Sequence, residues 1–167
     1  MKARSGFVLG LCLSCMGVAQ APVPPVQWSA SSAPQAPLKR GSSITIELAA
    51  DVQEGWHVYG LVQAPDGPTP LRVALDENAT AEAAGTVSGT EPVRKQDSSF
   101  HVETQLYEKP FSLRIPAQIR QQAAGGRQSI PVSIRFQSCN DRVCLPPRTV
   151  HLTVPVDVRT DADSGRP

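Results

Sequence analysis

The sequence predicts an all-β protein built as an antiparallel β-sandwich. Apolar residues alternate with polar ones in short runs, the period of strands that bury one face. Turn clusters such as Pro65–Pro70 and Gly125-Gly126 separate several of these runs. Two segments of helix-like composition, Glu77–Ala84 and Gln118–Ala124, lack an apolar stripe of useful length. Many short strands joined by Pro- and Gly-rich turns are typical of two packed antiparallel sheets.

The predicted strands follow in order along the chain. They are 44–48, 56–59, 71–75, 100–106, 111–115, 130–136 and 150–158. The short aromatic run Trp56–Tyr59 begins directly after Gly55, and the longest alternation ends at Val158. We expect 100–106 and 111–115 to pair with each other around Tyr107–Pro110. The final two strands flank the cysteine segment, which places that segment at a corner of the sandwich.

The first 21 residues, Met1–Ala21, are interpreted as a cleaved secretory signal peptide. A positive start precedes the apolar stretch Phe7–Val18, which is too short to span a bilayer. Ala19-Gln20-Ala21 has the small-residue pattern of a cleavage site. Lipid attachment at Cys15 is not expected, because Cys12 stands where a large aliphatic residue is required. We therefore expect a periplasmic or secreted protein.

Composition divides the remaining chain into three parts. Residues 22–40 are a Pro-rich lead-in that we expect to be extended, residues 41–158 are the sandwich domain, and residues 159–167 are a disordered tail. The net charge of the whole chain is +1, and the signal peptide removes two positive charges and no negative ones. A chain so close to neutral has no electrostatic reason to bind nucleic acid or anionic lipid. We expect a monomer.

Cys139 and Cys144 are the cysteines that remain after cleavage, and four residues separate them. We expect their Cα atoms to lie about 4.4–6.8 Å apart on adjacent strands or the turn between them. A bridge over so short a loop stabilises by only about 2 kcal/mol in the chain-entropy model. Most cysteine pairs in exported proteins are nevertheless structural. Arg142 within the polar loop favours a reactive thiolate electrostatically. The pair is therefore either a structural disulfide or a redox-active dithiol.

Metal binding is the competing interpretation of the same cysteines. Cys139 and Cys144 together with one histidine, His57, His101 or His151, form a conceivable zinc or copper site. After cleavage the chain retains no Met, which removes the thioether ligands of many copper carriers. There is also no second cysteine pair, so we expect neither a metal nor another cofactor.

The segment Phe136–Pro147, which reads FQSCNDRVCLPP, resembles the active-site hairpin of a known family. That family is the N-terminal periplasmic domain of DsbD, the thiol:disulfide interchange protein. Two further segments, Gly55–Tyr59 and Ser99–Tyr107, are similar to its glycine–aromatic strand and its cap-loop segment, in the same order. The resemblance covers roughly residues 41–158, which is essentially the whole predicted domain.

The resemblance implies an immunoglobulin-like fold and a specific chemistry. Cys139 and Cys144 are expected to cycle between dithiol and disulfide, with Cys144 forming the mixed disulfide and Cys139 resolving it. Phe100 is expected to cap the pair and Tyr59 to line its pocket, while His57 stands where a Tyr can occur in the family. In the family, acidic residues tend to precede the cap aromatic, whereas here the nearest carboxylate is Asp97.

The implied activity is that of a protein-disulfide reductase or electron-transfer domain. The implied partners are periplasmic thioredoxin-like or disulfide isomerase-type proteins, with a membrane-embedded electron donor supplied in trans. The alternative function is a non-catalytic immunoglobulin-like binding or accessory module, in which the bond between Cys139 and Cys144 is purely structural. The reduction potential of the pair distinguishes the two.

Overall fold

The computed structural model describes residues 23–159 of the chain. The interpreted signal peptide, with Cys12 and Cys15, lies outside the described residues, as does all of the predicted tail beyond Arg159. Within the described range the secondary structure is entirely β, with no helix that could cross a membrane.

Twelve strands make up this part of the chain. They are β1 (Val26–Ala33), β2 (Ser43–Val52), β3 (Trp56–Tyr59), β4 (Arg72–Leu75), β5 (Ala81–Ala83), β6 (Ser88–Gly89), β7 (Val93–Gln96), β8 (Glu103–Tyr107), β9 (Phe111–Ile119), β10 (Gly126–Phe136), β11 (Ser138–Asn140) and β12 (Arg148–Val158).

The strands form three antiparallel sheets. The first has the order β1-β2-β9-β5, with β6 also paired to β9, and the second has the order β12-β10-β4. The third and smaller sheet has the order β11-β3-β8-β7. The segment after β1 reaches the last strand, where the Leu38 N–H donates to the Asp157 carbonyl at 2.7 Å. The prediction of an all-β, immunoglobulin-like antiparallel sandwich is confirmed.

The main core lies between the first two sheets. β2 buries every second residue from Ile44 to Val52, and β10 buries every second residue from Ile130 to Phe136. Strand pairing places apolar residues opposite one another, as in Ile46 opposite Ile115. Register fixes which side chains share a face of a sheet. The buried residues of β2, β9 and β10 therefore belong to one hydrophobic cluster. Each fully buried aliphatic side chain contributes about 1.5–3 kcal/mol relative to exposure.

The Pro-rich lead-in, residues 22–40, is extended where it is described and supplies a strand to the first sheet. β1 pairs with β2 along its whole length, from Val26 opposite Val52 to Ala33 opposite Thr45. Trp28 of this strand packs edge-on against Phe111, with ring centroids 5.4 Å apart. The strand was not predicted because most of its residues are Ser and Ala, which carry little apolar signal.

The predicted pairing of 100–106 with 111–115 is wrong. β8 pairs with β3 and β7 in the third sheet, whereas β9 pairs with β2, β5 and β6 in the first. The connection at Tyr107–Pro110 is therefore a corner between sheets. The Tyr107 and Phe111 rings stack across it, with centroids 3.8 Å apart. The short spacing between the two strands suggested a hairpin. In the folded protein β9 buries its apolar face in the main core, whereas β8 contributes Leu106 to the cluster around the cysteines, so the two strands belong to different sheets.

Candidate functional site

The cysteine pair closes the outer end of the third sheet. Cys139 lies in β11, and an isolated antiparallel bridge joins it to Cys144 on the returning chain. The two residues form a disulfide, and their Cα atoms are 4.1 Å apart. They thus lie side by side as predicted, at a separation slightly shorter than the predicted range.

Asn140 organises the loop between the two cysteines. Its side-chain oxygen accepts hydrogen bonds from the backbone N–H groups of Arg142 and Val143, both at 2.9 Å. Its own N–H donates to the Val143 carbonyl, also at 2.9 Å. Asn is favoured at such positions because its side chain mimics a backbone turn. This role was not predicted, although an Asn at the start of a short polar loop is the signal for it.

β3 supplies the wall of the site. Gly55, at a φ of 79°, precedes the strand in a conformation that favours glycine. His57 lies directly opposite Cys139 in the pairing of β3 with β11. Tyr59, two residues further along, shares the face of His57, while Val58 between them faces the main core.

The side chains around the disulfide form a cluster separate from the main core. This cysteine cluster consists of buried Tyr59, Leu106 and Cys139, with half-buried Phe100 and Cys144 packed against them. Cys139 is only 1% exposed, so its sulfur is covered, whereas Cys144 is half-buried. The tertiary structure therefore brings together Cys139, Cys144, Tyr59 and Phe100, all of which were singled out in the sequence.

Phe100 lies on the cap loop, residues 97–102, which joins β7 to β8. Its ring meets that of Tyr59 edge-on, with centroids 5.9 Å apart. Tyr59 in turn meets His57 edge-on at 5.1 Å. Edge-to-face contacts of this kind add about 0.5–1.5 kcal/mol to the burial of apolar area. The cap loop is thus held against the cysteine cluster by one row of aromatic contacts.

The Asp97 carboxylate holds the cap loop in place through hydrogen bonds. One of its carboxylate oxygens accepts the Tyr59 hydroxyl hydrogen bond at 2.8 Å. The other accepts the backbone N–H groups of Ser99 at 2.8 Å and Phe100 at 3.1 Å. Asp97 is buried, and its importance was not predicted from the sequence. The available signal was an Asp followed by two Ser residues, a pattern that favours a side-chain-closed turn.

Burial and hydrogen bonding set the charges of these groups. Burial alone raises the pKa of Asp97, but the hydrogen bonds from Tyr59 and from the Phe100 and Ser99 amides outweigh it and lower the pKa. Burial, followed by the hydrogen bond to Asp97, raises the pKa of the Tyr59 hydroxyl. Asp97 is therefore an ionised acceptor and Tyr59 a protonated donor throughout the neutral range.

His57 is half-buried beside the disulfide. Burial lowers the pKa of its imidazole, because the charged form is poorly solvated there. The carboxylates of Asp97, Glu108 and Asp141 oppose that shift, and Lys95 adds to it. Within the part of the chain that the structure describes, the Nε2 atom is buried and has no hydrogen-bond partner.

The two arginines near the cysteines have different surroundings. Arg142 is exposed in the loop, and its backbone N–H closes the Asn140 turn. Arg148 lies over the Phe136 ring at 5.0 Å and donates to the Val26 carbonyl at 3.0 Å. Arg148 is therefore a structural contact between β12 and β1, and Arg142 is the cation carried by the cysteine loop itself.

Metal ligation was the competing interpretation of the cysteines. Among residues 23–159, no group of three or more His, Cys, Asp or Glu side chains is arranged to hold a metal ion. The site combines a disulfide between buried Cys139 and half-buried Cys144 with the His57 imidazole, the Tyr59 phenol and the Asp97 carboxylate.

The family whose model matches this chain is one of thiol:disulfide interchange proteins, which agrees with a site built around a disulfide. The chain matches the family model described as thiol:disulfide interchange protein DsbD, N-terminal, over residues 23–155. Among solved structures, it is similar to the N-terminal domain of DsbD from Neisseria meningitidis in the reduced form. That similarity has 17% sequence identity and a TM-score of 0.52, and covers 81% of this chain and 90% of that one.

A second solved structure, the N-terminal periplasmic domain of ScsB from Proteus mirabilis, is 14% identical with a TM-score of 0.46. The match covers 83% of this chain and 49% of that one. A search of curated proteins found no match.

Proposed function

Because the chain belongs to the family of N-terminal domains of the thiol:disulfide interchange protein DsbD, we propose that it is an exported thiol–disulfide exchange protein. Its Cys139/Cys144 pair passes reducing equivalents to periplasmic partner proteins. It acts as a protein-disulfide reductase or electron-transfer domain, without a cofactor and as a monomer.

The unequal exposure of the two cysteines carries this proposal. Cys139 is 1% exposed within the cysteine cluster, whereas Cys144 is only half-buried. Exchange needs one accessible thiolate that attacks a partner and a second thiol that is shielded from that partner. Cys144 fits the first role and Cys139 the second.

The electron balance of the exchange is as follows. The Cys144 thiolate attacks one sulfur of the partner disulfide, forming a mixed disulfide and releasing one partner thiolate, which takes up a proton. Cys139 then loses its proton and attacks the Cys144 sulfur, which breaks the mixed disulfide and releases the second partner thiol. The partner gains two electrons and two protons, and the Cys139–Cys144 disulfide forms.

The surrounding side chains are assigned supporting roles. Phe100 on the cap loop shields the pair until a partner displaces it, which limits reaction with other oxidants. Tyr59 lines the pocket and ties the cap loop to β3 through Asp97. Arg142 lies in the cysteine loop, where its positive charge favours the thiolate of Cys144 over the thiol.

The partners follow from the same chemistry. A half-buried sulfur beside a displaceable loop suits a thioredoxin-like or disulfide isomerase-type protein that presents its own cysteine pair at its surface. Oxidised protein must be reduced again, and we propose a membrane-embedded donor that acts in trans. We therefore propose that the protein acts in the periplasm, and the interpretation of Met1–Ala21 as a signal peptide supports this.

Trapping of a mixed disulfide tests the proposal. The reduced single variants Cys139→Ala and Cys144→Ala are incubated with an oxidised thioredoxin-like protein and separated on non-reducing gels. We expect the Cys139→Ala protein to accumulate a mixed disulfide through Cys144, because no resolving thiol remains. The Cys144→Ala protein should trap little, since the Cys139 sulfur is covered.

The reduction potential of the wild-type pair provides the second measurement. A value well above about −300 mV is expected for an exchange protein. A lower value, combined with no trapping by either variant, would instead establish the structural-disulfide module. Equal trapping by both variants would show that the order of attack is wrong.

A further inference from the structure

His57 faces the less accessible of the two cysteines. In the antiparallel pairing of β3 with β11, His57 is directly opposite Cys139. Residues in that relationship project to the same face of the sheet, with Cβ atoms about 4.5–5.5 Å apart. At that separation of their Cβ atoms, the imidazole of one residue and the thiol of the other can form a hydrogen bond.

The imidazole also has unused hydrogen-bonding capacity. Within residues 23–159, His57 Nε2 is buried without a hydrogen-bond partner. A buried polar atom without a partner is unfavourable, because it has lost its hydrogen bonds to water. In the oxidised protein described here, Cys139 is engaged in the disulfide and has no S–H to offer. Reduction creates an S–H on the residue directly opposite His57, and a thiol is a weak donor to an imidazole nitrogen.

We propose that His57 is the proton acceptor for Cys139 in the step that resolves the mixed disulfide. The inference rests on the proposed function, and it assigns to His57 a chemical role beyond that of a pocket wall. As Cys139 attacks the Cys144 sulfur, its proton passes to the His57 imidazole. The imidazolium then returns the proton to the departing partner thiolate, so no proton or electron is left over.

The environment of His57 suits this role. Burial keeps the imidazole neutral at pH 7, so its lone pair is available. The charged groups around it are the carboxylates of Asp97, Glu108 and Asp141 and the ammonium of Lys95, and the Tyr59 ring lies against it. These groups come from the cap loop, β7, the end of β8 and the cysteine loop. The three carboxylates stabilise the imidazolium once it forms.

Kinetics with an aromatic disulfide reagent isolate the resolving step. Attack of Cys144 on dithiobis(nitrobenzoate) releases one coloured thiolate in a second-order phase. Attack of Cys139 on the resulting mixed disulfide releases a second one in a first-order phase, which is independent of reagent concentration. The rate of this first-order phase is measured from pH 5 to pH 9 in wild type and in His57→Gln, which keeps a polar side chain but does not titrate there.

In wild type we expect the first-order rate to rise with pH and to bend at the pKa of His57, below 6.5. In His57→Gln the bend should be absent, and closure at pH 7 should be about tenfold slower or more. The matched control is His151→Gln, an exposed histidine on β12, which should keep the wild-type profile. A His57→Gln profile identical to wild type, or loss of the bend in His151→Gln, would overturn the assignment.

The first-order phase of the wild-type protein shows whether a negative result concerns the proposed function or only the role of His57. If the reduced protein shows no first-order phase, exchange through the pair fails and the role of His57 fails with it. If that phase is present and only the His57→Gln result is negative, the exchange function stands and this inference alone is wrong.

A measurement on the unmodified protein covers the case in which the variant does not fold. NMR titration of the imidazoles should give His57 different midpoints in the oxidised and reduced proteins, because its titration is coupled to the Cys139 thiol only when that thiol exists. A His57 midpoint that is unchanged by reduction would contradict the inference.

Discussion

The Tyr59 hydroxyl donates a hydrogen bond to Asp97 at 2.8 Å across 38 residues of sequence. Tyr59 belongs to the strand that pairs with the Cys139 strand, and Asp97 begins the cap loop that carries Phe100. This single contact therefore joins the strand beside the disulfide to the cap loop. Because the acceptor is an ionised and buried carboxylate, the bond is of the stronger, charge-assisted kind.

Removing the Asp97 carboxylate should loosen the cap loop. Asp97→Ala leaves three donors without their acceptor: the Tyr59 hydroxyl and the N–H groups of Ser99 and Phe100. We expect the free energy of unfolding to fall by about 1–3 kcal/mol. We also expect Cys144 of the reduced protein to be alkylated several-fold faster, as followed by mass spectrometry.

The control for this change is Asp76→Ala. Asp76 accepts the Ser133 hydroxyl at 2.7 Å on a different sheet, so its removal also costs stability. Alkylation of the cysteines should stay at the wild-type rate in this variant. Equal acceleration in both variants would mean that general destabilisation, and not the cap loop, controls access to the sulfur.

The stability contributed by Asp97 should disappear in acid. Its pKa is lowered in the folded protein below the ordinary value of an Asp carboxyl, so folding favours its ionised form. That contribution is fully present above the unfolded pKa and is lost as pH falls through the folded pKa. Urea unfolding of wild type and Asp97→Asn should therefore show a difference in stability that shrinks below about pH 4. A difference between wild type and Asp97→Asn that stays constant down to pH 2 would contradict the prediction.

Truncating the cap aromatic should separate shielding from stability. Phe100 is half-buried against the cysteine cluster, so Phe100→Ala should cost about 1–2 kcal/mol, less than the about 3–5 kcal/mol typical of a fully buried Phe. Alkylation of the reduced protein should be faster, because the proposed function assigns to the Phe100 ring the shielding of the sulfurs. Half-buried Leu75, which packs against the main core instead, is the matched control. Leu75→Ala should lose similar stability with no change in alkylation rate, and an unchanged rate in Phe100→Ala would return Phe100 to a packing role.

Asn140 should tune the redox equilibrium of the pair. Asn140→Ala removes the acceptor for two loop N–H groups, which makes the closed loop less favourable. A loss of about 1.4 kcal/mol from the disulfide form corresponds to a potential less negative by about 30 mV. Asn78 closes a similar turn elsewhere, accepting from the N–H groups of Thr80 and Ala81. Asn78→Ala should reduce stability but leave the potential, measured against glutathione, unchanged.

Much of the fold was decided by local patterning. Alternation in β2, β9, β10 and β12 identified the strands of the two main sheets, since only an alternating pattern buries one face of a half-exposed sheet. A short aromatic run after Gly55 located β3, and the spacing of Cys139 and Cys144 located the cysteine loop. Local patterning failed for β1, where Ser and Ala give no contrast between faces, and for the corner at Tyr107–Pro110, where spacing suggested a hairpin. The pairing of strands depends on which apolar faces pack together, and the tertiary structure determines this.

The sequence by itself determined the chemistry available to this protein: two cysteines five positions apart, a polar loop between them, and the aromatic residues Tyr59 and Phe100. Only the tertiary structure decided how these groups differ. It buries Cys139 and leaves Cys144 half-buried, brings Asp97 within hydrogen-bond distance of Tyr59, and sets His57 opposite Cys139. The physical reason is that exposure, hydrogen-bond partners and pKa depend on neighbours contributed by strands far apart in the chain, and no local pattern encodes those neighbours.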